Sequence, residues 1–108
     1  MATLGENSVI GTKVKLNISL QPIDGYHLED VDWSALVFTE QGLKTLTVDK
    51  KNAIYIDKDN YVIRVDTSLV GAGAYYTTVT AYIPDTDFED GIRPEKRTRY
   101  TGVTIDPR

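Results

Sequence analysis

Cysteine is absent from this chain, and histidine, tryptophan and methionine occur once each. Without thiols there is no disulfide framework to brace the fold, no thiolate to hold zinc and no sulfur nucleophile. A catalytic triad or a zinc site would have to be built around His27 alone. Long apolar runs are also missing. No window approaches the ~20 residues of a membrane helix, and Met1 to Ile10 has no basic segment ahead of an apolar stretch. Both absences predict a protein assembled in the cytoplasm of the cell that makes it, with no membrane partner. Positive charge is the scarcer sign, 12 Lys and Arg against 16 Asp and Glu for a net charge of -4. A field of that sign repels nucleic acid and anionic lipid, so neither is expected as a partner.

What is present suits strands. The 108 residues fit one domain with one core, and threonine and seven tyrosines favour a pleated, half-buried surface. From Gly11 to Leu20 the pattern alternates, with Val14, Leu16, Ile18 and Leu20 on one face and Lys13, Lys15, Asn17 and Ser19 on the other. Val31 to Thr39 is apolar on both faces, which predicts a central strand. Leu43 to Val48, Ala53 to Ile56 and Tyr61 to Asp66 read as further strands, the last two joined by a hairpin turn at Asp57 to Asn60.

Ala74 to Ile83 reads as the longest strand, with Tyr75, Thr77, Val79, Ala81 and Ile83 toward the core and Tyr76 and Tyr82 on the opposite face. Thr98 to Ile105 closes the chain. Gln21 to Asp30 and Pro84 to Gly91 are acidic loops, and Gly71 and Gly73 supply backbone freedom before the long strand. About seven short strands without a helical window predict an all-β, antiparallel two-sheet sandwich of immunoglobulin-like type. Residues 1–10 are expected as a flexible arm and 11–108 as a single domain.

The search for chemistry returns little. Asp24, Glu29, Asp30 and Asp32 lie near His27 in sequence, but Ser34 has no nucleophile elbow around it, and a surface loop histidine is the plainer reading. Paired loop carboxylates could hydrolyse a sugar, yet a chain this acidic has such pairs without any chemistry. Asp57 to Asn60 and Asp85 to Gly91 resemble oxygen-rich ion loops. In the second, the glycine falls one place late and Lys96 stands where a closing glutamate belongs, so turn-forming aspartates account for it better. Arg93, Lys96, Arg97 and Arg99 are expected as a solvated strand face beside an acidic loop. Tyr76, Tyr82, Asp85, Asp87 and Phe88 together form the candidate interaction face. No catalytic residue, metal ligand or cofactor is expected.

The runs Gly11–Leu16, Asp30–Trp33, Asp59–Asp66, Gly71–Gly73, Val79–Gly91 and Thr101–Ile105 carry a further signal. In this order they resemble small β-sandwich structural proteins of tailed phages and prophages of gut Bacteroidetes. The plan is similar to the N-terminal domain of phage baseplate upper proteins. The resemblance covers roughly Gly11 to Asp106 and is most distinctive from Tyr82 to Gly91. It implies a non-enzymatic virion module of the tail or baseplate, which docks onto copies of itself or onto neighbouring virion proteins as a homo-oligomer. The alternative from the residues alone is a carbohydrate- or cell-surface-binding module, ion-assisted at the acidic loops, with the tyrosines as its platform.

Overall fold

The computed structural model describes residues 8–21, 25–42 and 44–107. Its strands are β1 (Ser8–Val9), β2 (Lys13–Ser19), β3 (Asp32–Thr39), β4 (Leu46–Asp49), β5 (Ile54–Asp57), β6 (Asn60–Asp66), β7 (Gly73–Pro84) and β8 (Ile92–Asp106). Among the described residues there is no α-helix, and three short 3-10 turns at Leu28–Asp30, Lys50–Asn52 and Thr67–Leu69 link strands. The all-β class expected from composition and alternation is observed. A five-stranded sheet has the order β1-β8-β7-β3-β4, and a three-stranded sheet the order β2-β6-β5.

Three features depart from expectation. The larger sheet is mixed, because β1 runs parallel to β8 with Ser8 opposite Ile105 and Val9 opposite Asp106. Ile10 extends that contact by donating its N–H to Asp106 O at 2.8 Å. The end of the expected arm is therefore part of the sheet, while residues 1–7 lie outside the described residues. The strands number eight among the described residues instead of about seven. The longest is β8 with 15 residues, against 12 for β7. It starts at Ile92 and not at Thr98, because the charged run pairs residue for residue with β7, from Ile83 opposite Arg93 to Thr77 opposite Arg99. Charges on both faces of that run hide the period-two signal by which a strand is read.

One core lies between the sheets. From β2 come Leu16 and Ile18, from β6 Tyr61, Ile63 and Val65, and from the larger sheet Trp33, Ala35, Val37, Tyr75, Val79, Ala81, Ile83 and Ile105. Trp33 is 1% exposed and meets Tyr61 edge-on at 5.0 Å between ring centroids, which ties the sheets together at their centre. The face predicted for β2 is the buried one, and β3 is central, flanked by β7 and β4.

The entry to β7 is held by local bonds. The Thr67 hydroxyl is fully buried, donates to Thr12 O at 2.7 Å and accepts from Gly11 N–H at 2.9 Å, which fastens the 3-10 turn to the start of β2. Four residues on from Gly71, the Tyr75 hydroxyl reaches back to donate to Gly71 O at 2.5 Å, with Thr67 O at 3.3 Å. Burial raises the Tyr75 phenol above its ordinary pKa, with the Asp66 charge adding to the effect. Gly73 has φ +127°, and a Cβ there would stand 2.7 Å from the Glu40 carboxylate, which itself accepts from Ala74 N–H at 3.0 Å. Only glycine fits that approach.

Tyr75→Phe keeps the packing and removes the hydroxyl, leaving Gly71 O short of a partner. We expect a loss of about 1–3 kcal/mol, read as a lower urea midpoint at unchanged slope. A change within a few tenths of a kcal/mol would show that this corner holds nothing.

Candidate interaction site

Because Tyr75, Thr77, Val79, Ala81 and Ile83 face the core, the intervening residues of β7 form the outer face of the larger sheet. Register sets their neighbours. Phe38, Tyr76 and Tyr100 make one cross-strand row, Leu36, Thr78 and Thr98 the next, and Asp32, Tyr82 and Pro94 a third near the other end. Phe38 and Tyr76 stack at 5.7 Å and 19°, and Tyr76 meets Tyr100 at 5.4 Å and 50°. Between the ends, the Thr78 and Thr98 hydroxyls bond at 2.8 Å. Tyr100 is 48% exposed, and its hydroxyl lies 3.1 Å from that of Thr104 across an irregularity where β8 has extra residues around Gly102. The φ of +83° at Gly102 accommodates that bulge.

The five residues singled out in the sequence are only partly brought together. Tyr76 and Tyr82 share the outer face as expected, but six residues of strand put them roughly 20 Å apart. Asp85 is half-buried and occupied: its Oδ2 takes Arg93 Nε at 3.2 Å and its Oδ1 accepts from Asp87 N–H at 3.0 Å. Asp87 and Phe88 stand exposed at the tip of the β7–β8 loop. Arg93 also lies 3.6 Å from Glu95 Oε1, and Glu95 is buried, with its Oε2 unpartnered.

The ion loops resolve into turn chemistry. Asp57 Oδ1 accepts from Asp59 N–H at 3.0 Å and from Asn60 Nδ2 at 2.7 Å, and these bonds hold its carboxyl below the usual carboxylate range. Asp59 accepts from Leu28 N–H and lies 3.1 Å from His27 Nδ1. The partner of His27 is thus a residue 32 positions away, and Asp30 meets only its backbone N–H. Among the described residues no group of three or more His, Asp or Glu could hold a metal, and no helix is long and apolar enough to cross a membrane.

An open pocket of about 490 Å³ lies at the Tyr82 end of the outer face, lined by Asp32, Ser34, Asp49, Tyr82, Pro84 and Ile92 with Trp33 and Gly91. Strand pairing builds it: Asp32 is opposite Tyr82, and Ser34 is opposite Asp49. The sequence offered Ser34 only as an unsupported nucleophile. Nothing local distinguished Asp49, whose place depends on how β4 pairs with β3.

Comparison of the chain with family models, with curated proteins and with solved structures finds no match.

Around the hairpin, Tyr55 donates to Glu29 Oε1 at 2.6 Å. That bond, with desolvation and the Glu29 charge behind it, pushes the Tyr55 phenol up to about 12. Its folded pKa is above the ordinary value near 10, so the stability it adds is complete below pH ~10 and fades as pH rises through about 12. Tyrosine NMR titration should find Tyr55 the last of the exposed phenols to ionise, with Glu29→Gln returning it toward the ordinary value. A wild-type Tyr55 that titrates normally would mean the bond is absent in solution.

Proposed function

We propose that this chain is a non-enzymatic structural module of a phage or prophage virion, in the tail or baseplate, working by docking onto copies of itself or neighbouring virion proteins. The fold we assign it is an immunoglobulin-like sandwich. Three features support that assignment: the pairing of β2 with β6 and β5 opposite β8, β7, β3 and β4, the tryptophan buried on β3, and the tyrosine at the start of β7 bonded back to the preceding turn.

The observation that carries the docking reading is the row Phe38, Tyr76 and Tyr100 on the outer face. Rigid rings with few rotatable bonds give much contact area for little entropy, which is why such residues dominate interfaces. Their row spans three adjacent strands with no strand or turn of the described chain packed over Tyr100. The resemblance to phage sandwich proteins names the setting in which such a face is used.

Light scattering behind size exclusion, across concentration, should find a defined multimer. Tyr76→Ser combined with Tyr100→Asp should weaken it by about thirtyfold or more, the loss of one strong interface anchor. A strict monomer at every concentration that captures glycans through those tyrosines would overturn the assembly reading in favour of carbohydrate recognition.

A further inference from the structure

The pocket at the Tyr82 end has an uneven charge. Asp32 and Asp49 are its only ionisable groups besides the Tyr82 phenol. Each spends one carboxylate oxygen internally, Asp32 Oδ1 on Trp33 N–H at 3.0 Å and Asp49 Oδ1 on Asn52 Nδ2 at 2.7 Å. Neither has an ion pair among the described residues. The nearby Lys50 is committed elsewhere, its Nζ donating to Glu29 O at 2.8 Å and Val31 O at 2.7 Å. Asp32 and Asp49 stand at diagonal cross-strand positions, whose Cα atoms are about 7–8 Å apart. With an aromatic ring, a proline and an isoleucine between and beside them, they suit a flat cation with an apolar stem.

The same chain presents that chemistry. On β8, Arg97 and Arg99 are exposed and have no ion pair among the described residues. Register puts both on the core side of the larger sheet, opposite Val79 and Thr77, yet no strand of the smaller sheet covers them. They form a basic ridge on an acidic molecule.

We infer that the pocket lined by Asp32, Ser34, Asp49 and Tyr82 receives an arginine side chain, Arg97 or Arg99, from β8 of a second copy. This rests on the assembly reading and specifies its contact. Pocket and ridge are different surfaces, so the contact is head-to-tail and propagates into a ring or a filament instead of closing as a two-fold dimer. Guanidinium hydrogen bonds to carboxylate would orient the incoming side chain, with its plane against Tyr82.

The test is self-association by light scattering at low and high salt, using full-length protein. Asp32→Asn with Asp49→Asn keeps a side-chain oxygen for the Trp33 cap and should weaken association about tenfold or more. Asp32→Lys with Asp49→Lys should abolish it, as should Arg97→Glu with Arg99→Glu, and mixing the two reversed proteins should restore a mixed multimer. Trp33 is the only tryptophan and is buried between the sheets, so its emission reports folding, while amide NMR shifts at Asp32, Ser34 and Tyr82 report occupancy of the pocket, with acetyl-arginine amide as the small probe and methyl glucoside as the neutral control. A wild-type multimer indifferent to both reversals overturns the pocket contact and leaves assembly standing. A wild-type monomer at every concentration overturns both. Shifts at Asp32, Ser34 and Tyr82 on adding the glucoside and none on adding the arginine amide assign the pocket to a saccharide and also overturn the inference.

Discussion

Successive side chains of a strand point to opposite faces, and β7 turns that geometry into the organising constraint of this molecule. Committing Tyr75, Val79, Ala81 and Ile83 to the core leaves no freedom for Tyr76, Thr78, Thr80 and Tyr82, which must stand on the outer face. A slip by one residue would bury two tyrosine and two threonine hydroxyls against a smaller sheet whose buried residues are Leu16, Ile18, Tyr61, Ile63 and Val65. Burial costs for such unpaired groups are about 1–3 kcal/mol each, so the register is strongly determined. The bonds at the entry, Tyr75 hydroxyl to Gly71 O and Ala74 N–H to Glu40, sit where that register is chosen.

Much of this was legible in the sequence wherever a strand has one wet and one dry face. The alternation in β2 and β7 identified their core residues correctly, and the two-sided apolar pattern of β3 identified its central place. The first half of β8 was hidden for a physical reason. The smaller sheet, with three strands, is narrower than the five it packs on, so Arg97 and Arg99 need not be apolar even on the inward side. Alternation reports burial and not pairing, and here pairing continues where burial stops. Two residues of β1 are too short to carry any period, and their parallel bond to β8 depends on a segment nearly a hundred positions away.

The candidate site was less legible, because its parts are non-local. Tyr76 and Tyr82 could be put on one face by counting, but the row from Phe38 to Tyr100 needs the registers of β3 with β7 and β7 with β8. Asp85 and Asp59 carried the chemistry of an ion loop in the sequence. In the fold, Arg93 and a ring of backbone and side-chain donors satisfy them locally. Asp32 and Asp49 had no such signal, and neither has an ion pair among the described residues.

The long edge of β8 bears on how copies can meet. Beyond its short pairing with β1, no described residue pairs with the outer edge of the strand, and such an edge can zip to the same edge of another copy. Antiparallel zipping centred on Thr98 would set Arg97 of one copy opposite Arg99 of the other, twice over by symmetry. Like charges directly opposite are destabilising, and an edge of this kind is a known guard against sheet extension. The basic residues that forbid symmetric edge pairing, Arg97 and Arg99, are the same ones that have no ion pair among the described residues. Their charge is therefore available to a surface of opposite sign, and the outer face at the Tyr82 end is such a surface, with aromatic area beside it. Contact between unlike surfaces also accounts for how one acidic chain could associate despite its net repulsion: the attraction is local and short, whereas the repulsion is spread over the molecule and screened beyond about 8–10 Å at ordinary salt.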